Sequence, residues 1–184
     1  MALSALIKRL REIEPLALLT LIAIALGAPL QHWRYYPPGP GFNPVVWPQA
    51  MFDWVEKHDL KGPAFVSDGW GGPFLARFYP KERSFFDPRF EAYSSQHYLG
   101  VYRRIRYGQQ GWDKLLDDFG VQLIILKYTS PGEAKRQNGE ANVRQRLLVH
   151  DDWVLIAFDE RGEIFARFGG VNDAQAKRFG MRCY

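Results

Sequence analysis

The apolar run from Pro15 to Leu30 constrains this chain more than any other feature. Lys8, Arg9 and Arg11 precede it; Trp33, Tyr35 and Tyr36 follow it, and then Pro37-Pro38-Gly39-Pro40-Gly41. A basic flank, an apolar stretch, aromatic residues at headgroup depth and a stiff proline-rich spacer are the order expected of a membrane anchor. The run, Pro15 to Leu30, reaches about 24 Å as a helix against a hydrocarbon core of about 30 Å. Ile13 and the following aromatic residues extend it, and local thinning of the bilayer covers the remainder at modest cost. The expected anchor residues are Pro15, Leu19, Ile22, Leu26, Leu30, Trp33, Tyr35 and Tyr36. A cleaved signal peptide, for which Ala25, Gly27 and Ala28 are suitably small, and an interfacial or buried helix are the competing readings.

Three basic residues lie before the run, and Arg34 is the only one close behind it. The positive-inside bias then puts the N-terminus in the cytoplasm and the rest of the chain outside, in the periplasm of a bacterial inner membrane. The expected organisation is a cytoplasmic N-terminus and anchor (1–36), a proline-rich spacer (37–47), an extramembrane domain (48–168) and a C-terminal tail without strong period (169–184). About 140 residues follow the spacer, enough for one hydrophobic core. Aromatic residues make up 15% of the chain, which favours a dense core or a large contact surface.

The formal charge of +4 is modest, and no basic run is long enough to argue for nucleic acid. Arg103-Arg104-Ile105-Arg106 is the densest basic cluster. It reads as a solvated helix face with packed arginine stems, or as a contact for anionic headgroups or an acidic partner. Cys183 is the only cysteine, so an intrachain disulfide is impossible.

Within the extramembrane part, Pro48 suits the first turn of a helix to about His58, with Met51, Phe52 and Val55 on one face. Ala64 to Ser67 reads as a strand, followed by a glycine-rich turn, Asp68 to Pro73, and a short helix, Phe74 to Phe78. Arg83 to Asp87 reads as a second strand. Residues 89–107 are aromatic and basic, with an imperfect helical spacing. Trp112 to Phe119 has apolar residues at i, i+3, i+4 and i+7, with Gly120 as its stop. Val121 to Lys127 is the strongest strand; its core, Leu123 to Leu126, is apolar on both faces and belongs at the centre of a covered sheet. Residues 129–142 read as a loop or lid and Val143 to His150 as a helix. Trp153 to Asp159 and Glu163 to Phe168 form a hairpin around Asp159-Glu160-Arg161-Gly162. Helices interleaved with strands predict an α/β sandwich with a mixed sheet, the last two strands antiparallel.

Gly69-Trp70-Gly71-Gly72 stands between a strand and a helix, where phosphate loops occur. It has no Gly-Lys-Ser/Thr, and Trp70 would crowd a phosphate; positive φ and close packing are the expected roles of its glycines. Asp68, Asp87, Glu91 and His97 are the candidates for a cluster at the strand ends, suited to metal binding or acid–base chemistry. Their spacing matches no metal motif, and Asp87-Pro88-Arg89 suggests an Asp–Arg pair holding a turn. His32, His58 and His150 stand alone. No cofactor, metal or catalytic residue is assigned.

Taken in order, Pro48-x-x-Met51-Phe52-x-Trp54-Val55, Phe65-Val66-Ser67-Asp68-Gly69-Trp70-Gly71-Gly72-Pro73-Phe74-Leu75 and Phe85-Phe86-Asp87-Pro88-Arg89-Phe90-Glu91-Ala92-Tyr93 carry a resemblance. So do Trp112-x-x-Leu115-Leu116, Gly120-Val121-x-Leu123-Ile124-Ile125-Leu126, Asp152-Trp153-x-Leu155-Ile156-x-x-Asp159 and Ile164-Phe165-Ala166-Arg167. Over residues 44–167 the chain resembles the extramembrane C-terminal domain of bacterial polytopic GT-C-type membrane glycosyltransferases. In that superfamily the catalytic acid and the lipid-phosphate site lie in the multi-span membrane part, so the resemblance carries no catalytic residue here. Asp87-Pro88-Arg89 also replaces the Asp-Gly-Arg usual in the family.

The resulting expectation is a non-catalytic, membrane-anchored accessory subunit, docked on a large integral membrane assembly of the photosynthetic reaction-centre–antenna or respiratory kind. Its expected partners are the subunits of that assembly and the lipid bilayer. Trp70, Tyr93, Tyr98, Tyr102, Arg103, Arg104 and Arg106 are the candidate partner contacts. The alternatives are the soluble half of a split glycosyltransferase and a glycan- or lipid-binding module.

Overall fold

The computed structural model describes Pro15, Ala17 and residues 19–25, 47–86, 89, 93–128 and 140–181, and the chain divides into two compact units, residues 1–46 and 47–184. In the first unit the described positions are helical and exposed, among them Pro15, Leu19 and Ile22. Among the described residues, no helix is long and apolar enough to cross a membrane. Leu26, Leu30, Trp33, Tyr35 and Tyr36, five of the eight expected anchor residues, lie outside the described residues.

The second unit is a mixed α/β fold. Helix α1 (Gln49–Lys57) starts directly after Pro48, whose missing N–H costs nothing there, and buries Met51, Phe52 and Val55. Strand β1 (Ala64–Val66) leads into α2 (Asp68–Phe78). Then come a one-turn α3 (Ser95–His97), a π-helical turn (Tyr98–Tyr102), α4 (Arg103–Arg106) and α5 (Trp112–Asp118). Strand β2 (Leu123–Lys127), α6 (Glu140–Leu148), β3 (Trp153–Phe158), β4 (Gly162–Arg167) and α7 (Asp173–Phe179) complete the chain.

The sheet order is β1-β2-β4-β3. β1 and β2 are parallel, with Phe65 opposite Ile124, and β2 and β3 both run antiparallel to β4. β2 is therefore internal, as its unbroken apolar pattern requires. Side chains alternate across the pleat. Ala64, Val66, Leu123, Ile125, Ile164, Ala166, Val154 and Ile156 face one core with α1, α2 and α7. Phe65, Ile124, Leu126, Phe165 and Trp153 face the other, with Tyr102, Ile105, Leu116, Val143 and Leu147. Both faces of the sheet are thus covered by helices.

Four expectations change. The glycine-rich segment is no turn: Asp68 to Pro73 forms the first turns of α2, and Gly69, Gly71 and Gly72 all have negative φ. Gly71 is buried, so close packing is what it supplies. Of the segment expected as a second strand, the described residues 83–86 make only a single bridge, Ser84 to Ala64, with the Phe85 amide donating to the Ala64 carbonyl at 2.8 Å. The segment read as a loop through residue 142 is helical from Glu140. The tail is folded: α7 packs on β3 and β4 and buries Ala176. One small residue inside a seven-residue helix is too weak a periodic signal to read in advance.

His58, at the end of α1, lies against Trp54 at 4.3 Å and Phe179 at 4.7 Å between ring centroids. Removal from water, then the cations Lys57 and Arg178, hold its imidazole below the ordinary 6.5. The unfolded chain therefore binds this proton more readily, so the full stability is present above about pH 6.5 and declines as pH falls below it. Thermal melts of the wild type are expected to drop between about pH 7 and about pH 5, and His58→Phe is expected to drop less over that window.

Candidate functional site

Two parallel strands leave their carboxyl ends at one edge, and in open α/β sheets that edge is where ligand crevices form. Here β1 delivers Ser67 and Asp68, β2 delivers Lys127 and Tyr128, and β4, running the other way, begins at Gly162 and Glu163. The edge is tightly tied. The Lys127 amide donates to the Ser67 hydroxyl at 2.8 Å, and the Tyr128 amide donates to the Arg161 carbonyl at 2.6 Å. Asp159 closes the β3–β4 turn by accepting from the Arg161 and Gly162 amides at 2.7 and 2.9 Å.

Two carboxylates of the edge, Asp68 and Glu163, each meet an arginine. Arg106 Nη1 lies 2.8 Å from Asp68 Oδ2, and Asp68 also accepts from the Gly69 amide at 2.8 Å. Arg144 Nε lies 2.8 and 2.6 Å from the two oxygens of Glu163, which is 4% exposed. A buried carboxylate is tolerated only when paired and hydrogen-bonded, and α6 supplies the partner. The Trp70 indole, which belongs to the core on the other face of the sheet from the helices of Arg106 and Arg144, lies over Gly162. A Cβ at Gly162 would sit 2.5 Å from the Leu126 carbonyl oxygen and 2.8 Å from the indole. Gly162→Ala is therefore expected to destabilise the protein by about 2–3 kcal/mol, read by thermal or urea unfolding, because neither backbone nor indole can retreat.

The expected Asp68–His97 cluster does not form. Asp68 lies two residues past the end of β1, whereas His97 stacks on Phe85 at 5.2 Å, and Phe85 bonds to Ala64, the first residue of β1. The two groups mark opposite ends of the strand. Asp87 and Glu91 lie outside the described residues, as does any pairing of Asp87 with Arg89. Among the described residues no group of histidine, cysteine and acidic side chains is arranged to hold a metal.

The candidate contact residues divide. Tyr102 is 0% and Trp70 4% exposed, so both are core residues, a correction: rings crowd Tyr102, and Trp70 packs over Gly162. Tyr102 stacks on Phe86 at 4.2 Å and on Phe65 at 5.3 Å. Tyr93 and Tyr98 are half-buried against Phe86. Arg104 donates to the Gln110 carbonyl at 2.5 Å, and Arg106 holds Asp68. Arg103 is exposed and lies over the Tyr107 ring at 5.2 Å. Sequence reasoning missed Glu163, Arg144, Tyr128 and Phe158. Glu163 looks like any outward strand residue; only the docking of α6 buries it. Tyr128, just after Lys127 at the end of β2, and Phe158, at the end of β3, are both exposed, with β4 lying between their strands.

No family model, curated protein or solved structure matches this chain.

Proposed function

We propose that the chain is a non-catalytic accessory module, anchored in a bacterial inner membrane by the apolar run 15–30 and docked on an integral membrane assembly from the periplasmic side. One observation carries the reading. The edge where an α/β fold ordinarily holds a ligand is filled by its own side chains: Asp68 by Arg106, Glu163 by Arg144, and the space above Gly162 by Trp70. Such an edge is suited to presenting a surface. Tyr128 and Phe158 at its rim are exposed aromatic residues, the type enriched at protein interfaces.

Affinity purification of the full-length protein in mild detergent is expected to recover a defined membrane assembly in stoichiometric amount. The double substitution Tyr128→Ser and Phe158→Ser is expected to lose that assembly without lowering the melting temperature, since both side chains are exposed. Retention of the assembly by the double variant would overturn the assignment of this edge. A split glycosyltransferase makes the opposite demand: sugar transfer by the recovered assembly should then fall in Asp68→Ala, whereas the accessory reading expects no such dependence.

A further inference from the structure

Away from that edge, the end of α1 and the last turn of α7 border an open surface pocket of about 300 Å³. Its walls include Lys57, His58 and Asp59 from α1 and its exit, and Gln175, Arg178 and Phe179 from α7. The neighbouring cavity under Arg77 differs, because its charges are matched: Arg77 pairs with Asp53 and Glu56, and Glu82 accepts from the Gly62 amide. Around His58 the balance is positive. Asp59 is held by Lys61 at 2.5 Å, which leaves Lys57 and Arg178 as the lining charges that have no ion pair among the described residues. One turn earlier on α7, Asp173 and Lys177 pair with each other at 2.6 Å.

The geometry converges on one spot. Phe179 meets the His58 ring at 4.7 Å and carries the Arg178 guanidinium over its face at 5.0 Å. Gln175 fixes the end of α1 by donating to the His58 carbonyl at 3.1 Å. Two cations and an imidazole on packed elements, beside an apolar ring wall, form a pocket at the small end of the ligand-site range. A guanidinium and an ammonium are the usual partners of phosphate oxygens.

We propose that this pocket binds the phosphate group of a soluble phosphorylated small molecule, through Lys57, Arg178 and the protonated form of His58. The site is independent of the docking edge, so either assignment can fail without the other.

The test is NMR of full-length protein in detergent, labelled with 13C in the histidine rings, titrated with inorganic phosphate and, separately, with sodium chloride at matched ionic strength. Phosphate is expected to raise the apparent pKa of His58 by about one unit and to saturate, because a bound anion favours the imidazolium. Chloride is expected to do much less. Lys57→Gln with Arg178→Gln should raise the pKa of His58 in the absence of phosphate and abolish the phosphate response; both side chains are exposed, and intact His150 signals report the fold. Equal responses to the two salts, no response to phosphate, or a response surviving in the double variant would each overturn the proposal. Mixed micelles containing phosphatidic acid form the second arm. A response to these and not to phosphate would overturn the soluble ligand in favour of a lipid headgroup.

Discussion

Phe165→Ala is expected to lower the melting temperature of the full-length protein by roughly 10–15 °C, corresponding to about 3–5 kcal/mol. Phe165 is 0% exposed on β4, an internal strand, and stands opposite Ile124 of β2 and Leu155 of β3. Its ring belongs to the core that joins the sheet to Tyr102, Ile105, Trp112, Leu116 and Val143. Truncation removes the transfer energy of the ring and leaves a void between a sheet and helices that are tied elsewhere, so the walls cannot close over it. Phe165→Leu, which keeps most of the volume, is expected to lose less than half as much. A loss below about 1 kcal/mol for the alanine variant, measured by urea unfolding, would show that this core is not packed as described.

Asn172→Ala is expected to cost about 2–4 kcal/mol, although the side chain is small and polar. Asn172 is 1% exposed and joins three segments. Its Oδ1 accepts from the Lys61 amide at 2.8 Å, and its Nδ2 donates to the Lys61 carbonyl at 2.8 Å and to the Gln122 carbonyl at 3.3 Å. The amide group thus pairs with residue 61 as a strand would, just where the chain approaches β1, and ties that approach to the entry of β2. Alanine leaves an amide and two carbonyls of the chain without these partners, and the penalty for unmade bonds exceeds the worth of the bonds themselves. Asn172→Asp discriminates this account from loss of volume. A carboxylate facing two carbonyls has its pKa raised in the folded state, so its stability is fully present at low pH and is lost as pH rises. The aspartate variant is expected to be closest to wild type near about pH 4 and weakest at neutral pH.

These two residues also mark how far the sequence could be read. Phe165 sits in a strand that was legible as the return arm of the hairpin, and so were α1 with Met51, Phe52 and Val55, the stop at Gly120 with its φ of +63°, and the hairpin turn at Asp159 to Gly162. Asn172 was not legible at all. Nothing in Val171-Asn172-Asp173 announces that its amide reaches 111 residues back along the chain. The same holds for the edge: Asp68 was singled out, but its partner Arg106 and the Glu163–Arg144 pair come from helices whose docking no local pattern encodes.

The sequence by itself determined the elements with strong periods and, through the unbroken apolar run of β2, that both faces of the sheet are covered, because period and burial follow from local geometry and from the cost of leaving apolar surface in water. Only the tertiary structure decided which polar groups meet. It put Asp68 and His97 at opposite ends of β1, turned the glycine-rich segment into the start of α2, and drew Lys57, His58 and Arg178 around one pocket. Those outcomes depend on distances between residues far apart in sequence, which are set when helices settle on the sheet and not before.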